Sequence, residues 1–530
     1  MPQHRQIAPP EAVHQPLARY ARTSPERPFL LAEGGVSYGR AAAWVAALAS
    51  EQLADVAEQR VAIWMGKGNH YALSILASLY AGACYVPLDG GQPVHRAAGI
   101  VEDAQARVLI VDAAHYAELQ LLGVPDCVER LILLLSQGEE APDGEDGRLV
   151  VVRDAMLLDR DLSLDVGMPV PPSQVAAILY TSGSTGKPKG VQLSHRNLSN
   201  FIGWCGEELA LSQDDRLLNI ASFNFDLSTF DLFCSLLHGA SVYVSQEQEQ
   251  QTLGRLADVL RQQQITVLYT VPSLLALLSR AGIWQALAPL SLRYVIFAGE
   301  VMPLPQLQSL ARQLPASCQL YNFYGPTETN VCLYHKVSEA DLAGSAPLPI
   351  GRPIRGAEVW LRDQDGRRLG MEEGQLGEIW VAGACVTPGY WRRHDAVNAE
   401  NHVLNQHATG DYGSFRDGVL VYHGRMDRML KLNGYRVELG EIEAVLATHP
   451  DIHEVAVLAE AGPVVRLMVY LATRQADASI SIADLKIFCA TRLPRYMIPH
   501  GLCQMAALPK NANGKIDYRA LADADKLVSA

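Results

Sequence analysis

Short apolar runs alternate with helical stretches through the first three hundred residues of this 530-residue chain. The runs are rich in β-branched and aliphatic residues, which is typical of buried strands. They lie at residues 60–64, 107–112, 130–135, 265–269 and 294–298. Because strands that alternate with helices build parallel sheets covered on both faces, the pattern predicts an α/β fold with parallel-rich sheets.

The pattern of apolar and polar positions changes after residue 350. Between residues 351 and 390, short runs at 358–361 and 377–381 are separated by turn residues, which predicts a small antiparallel barrel or sheet. After residues 424–428, roughly a hundred residues remain, enough for a small α+β domain. We therefore predict a large N-terminal domain over residues 1–425, with a β-barrel subdomain at about 345–425, and a small mobile C-terminal domain over residues 426–530.

Composition and charge exclude several classes of protein. Hydrophobic residues make up 49% of the chain and charged residues 19%, as in ordinary globular proteins. The net charge of −13 disfavours nucleic acid as the main partner, because phosphate backbones need a basic face. No stretch approaches about 18 uninterrupted apolar residues, so no membrane span is predicted, and the N-terminal residues lack a secretory pattern.

The cysteines and histidines show no ligand spacing. Nine cysteines are scattered without C-x-x-C pairs, and the 15 histidines form no H-E-x-x-H motif. Cys84, Cys234 and Cys385 lie inside apolar runs. These features predict reduced core thiols in a cytoplasmic protein, and neither a disulfide framework nor a metal held by imidazoles.

Residues 180–190 read Tyr-Thr-Ser-Gly-Ser-Thr-Gly-Lys-Pro-Lys-Gly and combine the features of an anion-binding loop. Glycine lets backbone N–H groups turn toward a phosphate, the hydroxyl groups add donors, and Lys187 and Lys189 add charge. A predicted strand at 175–180 precedes the loop, and an amphipathic helix opens at Ser194. The loop is not a Walker P-loop, because Lys187 is followed by Pro188 and not by Ser or Thr. A plain linker is the alternative, but linkers rarely carry two lysines between glycine and proline.

Eight further segments accompany this loop in a fixed order along the chain. In sequence the set reads Ala-Gly-Ala-Cys-Tyr-Val-Pro-Leu-Asp at 81–89, the loop at 181–190, Asn-Phe-Asp-Leu-Ser at 224–228, Asn-Phe-Tyr-Gly-Pro-Thr-Glu at 322–328, Gly-Glu at 377–378, Thr-Gly-Asp at 409–411, Gly-Arg-Met-Asp at 424–427, Gly-Tyr-Arg-Val-Glu-Leu-Gly-Glu at 434–441 and Asn-Gly-Lys-Ile-Asp at 513–517. The ordered set, which spans essentially the whole chain, resembles the adenylate-forming enzymes. Within them it is most similar to the amino-acid-activating adenylation domains of non-ribosomal peptide synthesis.

The resemblance implies a reaction in two steps, with ATP and Mg²⁺ as cofactors. A carboxylate attacks the α-phosphate of ATP to give an acyl adenylate and pyrophosphate, and a thiol then forms a thioester and releases AMP. The nucleotide-binding residues that the resemblance implies are Thr181, Ser182, Gly183, Ser184, Thr185, Gly186, Lys187, Lys189, Gly299, Asn322, Tyr324, Asp411, Tyr422 and Arg425.

Particular roles follow from the same resemblance. Thr181, Ser182, Thr185 and Lys189 would bind the β- and γ-phosphates. Tyr324 would stack on adenine, and Asn322 with the backbone near Gly299 would hydrogen-bond it. Asp411 would accept both ribose hydroxyls, with a plain turn aspartate as the alternative, and Arg425 would help to fix the ribose.

Three residues are implied to act in catalysis, namely Lys515, Thr327 and Glu328. Thr327 would bind the α-phosphate, and Glu328 would bind Mg²⁺, a hard cation that prefers oxygen ligands. Lys515 would hold the substrate carboxylate and the α-phosphate together in the transition state, although a solvated surface lysine is the ordinary alternative. Asp427 matches the position at which the small domain pivots between the two half-reactions.

Asp226 separates substrate classes within the resemblance. It follows aromatic residues Phe223 and Phe225, and a carboxylate in apolar surroundings needs a partner such as an α-ammonium group. Amino-acid-activating members carry aspartate at this position, whereas fatty-acyl and aryl activators generally do not. A helix N-cap is the alternative role for this aspartate.

The side-chain pocket implied by the resemblance is apolar and contains three aromatic rings. Its residues are Leu227, Phe230, Tyr269, Ile296, Ala298, Phe323, Val331 and Cys332. Bulky groups at Phe230 and Phe323 predict a shallow cavity for a small aliphatic or cyclic side chain. The set is similar to that of stand-alone L-proline activators, although Phe323 is bulkier than the aliphatic residue expected there, so valine and pipecolate remain open.

We expect the acyl group to pass to a separate carrier protein bearing phosphopantetheine. The chain ends fifteen residues after Lys515 without a Gly-Gly-x-Ser carrier segment, and no condensation signature precedes the loop. Two alternatives remain. A coenzyme A ligase for a small carboxylic acid would leave Asp226 unpaired, and a catalytically silent nucleotide-binding protein is disfavoured by intact Lys515, Asp411 and Glu328.

Overall fold

The computed structural model describes residues 12–136, 138–140, 146–154, 157, 170–182, 188–250, 252–287, 290–394, 398–425, 429–432, 434–460, 465–475, 479–510, 516–518 and 520–522. The chain divides into two compact units. The first comprises Met1–Gly90, Val101–Tyr180 and Gly190–Met426, and the second comprises Gly91–Ile100, Thr181–Lys189 and Asp427–Ala530. The proposed pivot Asp427 and the proposed catalytic lysine Lys515 lie outside the described residues.

A nine-stranded sheet forms one layer of the first unit. In spatial order its strands are Arg352–Pro353, Leu333–Lys336, Gln319–Tyr324, Tyr294–Phe297, Val267–Thr270, Arg216–Asn219, Ser241–Val244, Pro28–Leu30 and Val36–Ser37. The five central pairings, from Gln319–Tyr324 to Pro28–Leu30, are parallel, and the outer strands add antiparallel pairs at both edges. The central strands are buried over most of their length, which explains their mainly apolar sequences.

A second, seven-stranded sheet contains the strand before the predicted anion loop. Its strands, in spatial order, are Leu149–Arg153, Arg130–Leu135, Val108–Val111, Arg60–Trp64, Cys84–Pro87, Val175–Thr181 and Lys189–Ser194. The five pairings from Leu149–Arg153 to Val175–Thr181 are parallel. The predicted helix after the loop begins where expected, because Ser194 and Asn197 form a reciprocal capping box at its first turn.

Helices connect these strands. Those outside the C-terminal segment are Pro16–Thr23, Tyr38–Gln52, Asn69–Tyr80, Val94–Ala104, Ala113–Leu122, His195–Leu209, Leu227–His238, Glu247–Gln250, Leu253–Gln262, Pro272–Arg280, Ile283–Ala286, Leu304–Gln313, Glu339–Ala343 and Ala399–Val403. In the described part of the chain, no helix combines the length and the apolar character needed to cross a membrane. The predicted α/β class with parallel-rich sheets is confirmed.

The segment where the sequence pattern changes forms a four-stranded antiparallel sheet. Its strands are Ala357–Arg362, Gly377–Gly383, Gln406–Arg416 and Val419–Arg425, paired in chain order. The first and last of these strands do not pair with each other, so the sheet is open. Of the two predicted alternatives, the antiparallel sheet is observed and the closed barrel is not. A separate buried cluster that includes Leu361, Ile379 and Leu420 covers one face.

The C-terminal part of the second unit is a small α+β structure. It contains the hairpin Met429–Leu432 and Tyr435–Glu438, and a three-stranded sheet of Ile452–Glu460, Arg466–Thr473 and Gly501–Gln504. Helices Leu439–Leu446 and Ile482–Ala490 and the 3₁₀ turn Arg495–Met497 complete it. Ile442, Val457 and Leu485 belong to its own buried core, which identifies this segment as an independently packed body.

Candidate active site

Most of the predicted site residues of the first unit lie at one end of the nine-stranded sheet, where its parallel strands terminate. Tyr269, Ile296 and Tyr324 are in three adjacent parallel strands, at or next to the residue where each strand ends. Ala298 and Gly299 follow directly after strand Tyr294–Phe297. In open parallel sheets, ligands bind outside the carboxyl ends of the strands, so the predicted residues lie where this topology places a binding site.

Tyr324, Asp411 and Arg425 form a polar triad that connects these strand ends to the four-stranded sheet. The Tyr324 hydroxyl donates to Asp411 Oδ2 at 2.5 Å, and Arg425 donates to Asp411 Oδ1 at 2.7 Å. Asp411 is 2% exposed, and Arg425 also donates to the carbonyl of Thr409 at 2.9 Å. Burial, followed by the nearby Asp411 charge, raises the pKa of Tyr324 well above its usual value. The triad therefore holds the Asp411 carboxylate in a fixed position.

Gly410 allows Arg425 to approach this carboxylate. Its φ of +73° lies in the left-handed region, and a Cβ there would lie 2.6 Å from a terminal nitrogen of the Arg425 guanidinium. We expect Gly410→Ala to displace Arg425 and to raise the KM for ATP at least about tenfold, the scale of losing one charge-assisted hydrogen bond. ATP–pyrophosphate exchange at varied ATP concentration measures this effect.

The matched control for this prediction is Gly418→Ala. Gly418 has a nearly equal φ of +71°, but nothing lies within 4 Å of a Cβ built on it. Both variants pay the cost of a left-handed alanine, and only Gly410→Ala adds the clash with Arg425. Equal KM values for ATP in the two variants would contradict the role assigned to Gly410.

Asn322, Gly299 and Tyr422 are the other predicted nucleotide-binding residues of the first unit. Asn322 is buried, and its Nδ2 donates to the carbonyl of Pro349 at 2.8 Å. The rings of Tyr324 and Tyr422 lie 6.2 Å apart, and Gly299 adopts a φ of +85° just beyond its strand. The assignment of Tyr324, Asn322 and Gly299 to adenine stays a prediction, and so does the role of Tyr422 in nucleotide binding.

Only the two ends of the predicted anion loop are described. Thr181 Oγ1 is buried and makes no hydrogen bond within the described chain, as a hydroxyl reserved for a ligand would do. Within the second unit, the Ser182 hydroxyl donates to the carbonyl of Arg436 and accepts from the amide of Glu438 at 3.3 Å. Lys189 begins the strand after the loop. Gly183, Ser184, Thr185, Gly186 and Lys187 lie outside the described residues, so their phosphate contacts remain predictions.

Glu328 is a fully buried carboxylate next to the half-buried Thr327. It is 0% exposed, and its Oε1 accepts a hydrogen bond of 2.8 Å from the Tyr390 hydroxyl. The backbone carbonyl of Glu328 accepts from the amide of Thr387 at 2.8 Å. Sequence reasoning missed Tyr390, which orients the proposed metal ligand, because no local pattern relates residues 62 positions apart.

Asp226 occupies the N-cap position of helix Leu227–His238, but it is not a capping residue. Its side chain makes no capping hydrogen bond, and its backbone is already in the right-handed helical region. The half-buried carboxylate lies close enough to Tyr269 for its charge to add to the effect of burial in raising the pKa of that phenol. The N-cap alternative therefore has no support in the geometry, and the binding of an ammonium group by Asp226 stays a prediction.

The predicted pocket residues form an aromatic wall. The rings of Phe230 and Tyr269 are 5.2 Å apart at 79°, and those of Tyr269 and Phe323 are 5.7 Å apart at 67°, both edge-to-face. Leu227, Ile296, Ala298 and Val331 pack in the same cluster. Cys332 is the exception: it belongs to the cluster with Tyr324, and its Sγ lies 3.6 Å from the Tyr324 carbonyl oxygen.

Comparison with solved structures identifies the class of fold. The structure is similar to that of the Vibrio cholerae adenylation domain AlmE in complex with glycyl-adenosine-5′-phosphate, with a TM-score of 0.79, 24% sequence identity and coverage of 98% of each chain. The chain therefore has the fold of this adenylation domain.

Sequence comparison then gives the family. Residues 17–391 match the AMP-binding enzyme model, and residues 441–515 match the AMP-binding enzyme C-terminal domain. The chain belongs to the AMP-binding enzyme family and is an adenylate-forming ligase. It is 46% identical over 499 residues to the L-proline--[L-prolyl-carrier protein] ligase of Streptomyces coelicolor, covering 93% of each chain. It is 37% identical to the ligase of the same name from Pseudomonas fluorescens, covering 88% of this chain and 89% of the relative.

Proposed function

We propose that this enzyme activates L-proline with ATP and transfers the prolyl group to the phosphopantetheine thiol of a carrier protein. The observation that carries the proposal is the 46% identity, over 93% of both chains, with a ligase named for that reaction. The pocket residues support it, because their three edge-to-face rings present an apolar surface, which suits a compact apolar ring, and no charge for an acidic or basic side chain.

Asp226 would bind the ammonium group of proline. The secondary ammonium has two N–H donors, and a carboxylate can accept both. Phe230, Tyr269 and Phe323 would contact the pyrrolidine ring, which needs apolar surface and no hydrogen bond. These contacts would orient the proline carboxylate toward the α-phosphate of ATP.

In the first half-reaction, a carboxylate oxygen of proline attacks the α-phosphorus, and the bond to the pyrophosphate oxygen breaks. Tyr324 and Asn322 would bind adenine, and Asp411 with Arg425 would hold the ribose in the position that the triad defines. Thr181 and Thr327 would donate to phosphate oxygens, and Lys515 would contact both reacting anions. Since both reactants are anionic, fixed donors that neutralise charge supply most of the rate acceleration.

Glu328 would hold Mg²⁺ together with phosphate oxygens of ATP. A carboxylate oxygen is a suitable ligand for this hard cation, and Tyr390 fixes the orientation of the carboxylate. Among the described residues, no group of three or more His, Cys, Asp or Glu side chains is arranged to hold a metal. Bound Mg²⁺ would neutralise charge on the phosphates.

In the second half-reaction, the carrier thiol loses its proton, its sulfur attacks the acyl carbon, and the bond to AMP breaks. The products are a prolyl thioester and AMP. All nine cysteines of the chain are free thiols, which suits the cytoplasm, where ATP and reduced carrier protein are available.

We expect L-proline to give the highest kcat/KM when pyrophosphate release is measured across a panel of amino and carboxylic acids. One extra methylene in a filled apolar pocket changes selection by about 1–3 kcal/mol. The kcat/KM for pipecolate should therefore be roughly 5- to 200-fold lower than that for proline. Phenylalanine should be rejected more strongly, because its ring would have to displace Phe230 or Phe323. A higher kcat/KM for valine or an aromatic acid would contradict the substrate assignment.

The thiol acceptor is tested separately. A phosphopantetheinylated carrier protein is expected to accept the prolyl group, with the thioester detected by intact-protein mass spectrometry. Efficient transfer to free coenzyme A, and none to any carrier, would favour the coenzyme A ligase alternative.

A further inference from the structure

Asn330 is the last residue of the phosphate-side turn, residues 325–330, and it lies next to the amino-acid pocket. It follows Thr327 and Glu328 along the chain, and it directly precedes the pocket residue Val331. Its φ of +50° is left-handed, a conformation that asparagine tolerates better than most residues. Asn330 is 4% exposed, so its side-chain amide must find its hydrogen-bond partners within the protein.

One set of contacts ties Asn330 to the phosphate-side turn. Its backbone amide donates to the carbonyl of Thr327 at 3.3 Å, and its Oδ1 accepts from the amide of Val331 at 2.8 Å. A Cβ at Gly325 would lie only 1.6 Å from the carbonyl oxygen of Asn330. The turn from Gly325 to Asn330 is therefore closely packed, and a shift of its phosphate-side residues moves Asn330 as well.

A second set of contacts ties Asn330 to Asp226. Asn330 Nδ2 donates to the Thr229 hydroxyl at 3.2 Å, and that hydroxyl donates to the carbonyl of Asp226 at 2.6 Å. Thr229 is 1% exposed and lies in the first turn of helix Leu227–His238. The backbone amide of Thr229 also donates to the Asp226 carbonyl, at 3.0 Å. The backbone of Asp226 is thus connected, through two consecutive hydrogen bonds, to the turn that contains Thr327 and Glu328.

We propose that the Asn330–Thr229 hydrogen bond couples the binding of the amino acid to the binding of the nucleotide. Asn330 and Thr229 are positioning residues, because neither is assigned a contact with substrate. When ATP fixes the turn at Thr327 and Glu328, Asn330 fixes Thr229, and Thr229 fixes Asp226 in the orientation that accepts the ammonium group. The inference rests on the role proposed above for Asp226.

The physical basis is a chain of two hydrogen bonds, in which the Asn330 amide donates to the Thr229 hydroxyl and that hydroxyl donates to the Asp226 carbonyl. In a low-dielectric interior, each hydrogen bond is stronger than in water, and an unpaired member of the chain is costly. By linkage, the factor by which ATP tightens proline binding equals the factor by which proline tightens ATP binding. Loss of the connecting bond should therefore lower both factors equally.

The experiment is calorimetric titration of L-proline into the full-length enzyme, with and without α,β-methylene ATP and Mg²⁺. We expect the analogue to lower the Kd for proline at least about fivefold in the wild type, the lower end of common coupling effects. Thr229→Val should reduce this coupling factor by about three- to tenfold, the scale of one buried hydrogen bond. The Kd of each ligand alone should change less than about threefold.

Two further variants separate coupling from a general packing defect. Thr229→Ser retains the hydroxyl and should retain the coupling factor. Asn330→Gly tolerates the left-handed backbone but lacks the amide, so it should reduce the factor as Thr229→Val does. The double variant Thr229→Val/Asn330→Gly should be no worse than either single variant, because both changes remove the same bond.

The outcomes distinguish this inference from the proposed function. A wild-type enzyme that does not bind L-proline would overturn both. Proline binding with an unchanged coupling factor in Thr229→Val, or an equal loss of coupling in Thr229→Ser, would overturn the inference and leave the proposed function intact.

Discussion

Asp226→Ala is expected to remove most of the activation of L-proline while leaving the affinity for ATP unchanged. Removing one partner of a desolvated charge pair costs at least about 2 kcal/mol, which lowers kcat/KM for proline roughly 30-fold or more. No nucleotide contact is assigned to Asp226, so the Kd for an ATP analogue should not change. Pyrophosphate release at varied proline concentration and titration of the analogue measure the two effects.

Asp226→Asn is the matched control, because it keeps the shape and one acceptor oxygen but removes the charge. It should remain far below the wild type, since the ammonium group would still lose its counter-charge. Neither variant should lower the thermal stability by the ~1 kcal/mol typical of a lost N-cap, because the Asp226 side chain makes no capping hydrogen bond. Normal proline affinity together with lower stability would instead identify Asp226 as a structural cap.

The sequence predicted the fold well where a local pattern decides the structure. The apolar runs at residues 60–64, 130–135 and 175–180 are strands because a buried parallel strand needs apolar side chains on both faces. Ser194 begins a helix because its hydroxyl caps the first turn. The class of enzyme was predictable from the order of its motifs, and one of them, residues 322–328, lies at a strand end of the nine-stranded sheet, where ligands of open parallel sheets bind.

Other features of the site depend on contacts that no local pattern encodes. The bond between Asn330 and Thr229 joins residues 101 positions apart, and it exists only because a turn after one strand packs on a helix after another. Cys332 was predicted to line the pocket, but it lies in the neighbouring cluster with Tyr324. Its amide donates to the carbonyl of Tyr324 at 2.9 Å, which holds Cys332 beside Tyr324 just before strand Leu333–Lys336.

Lys515→Ala is expected to slow adenylate formation at least ~100-fold, the scale for losing one group that stabilises charge in the transition state. The proposed role is to contact the proline carboxylate and the α-phosphate together, so the interaction is strongest when the new bond is forming. The loss should therefore appear in kcat more than in the KM for either substrate. Single-turnover formation of prolyl-AMP by rapid quench measures the chemical step directly.

Lys510→Ala provides the matched control from the same small domain. Lys510 is a half-exposed lysine whose ammonium pairs with Glu454 at 2.6 Å, and an ion pair of this kind contributes little to stability. Its loss should leave adenylation near the wild-type rate.

Transfer from preformed prolyl-AMP to a carrier thiol should be spared in Lys515→Ala, because the adenylate already contains the bond that Lys515 is proposed to help form. A Lys515→Ala enzyme that adenylates proline as fast as Lys510→Ala would contradict the role, and an equal loss in both half-reactions would indicate a misfolded domain.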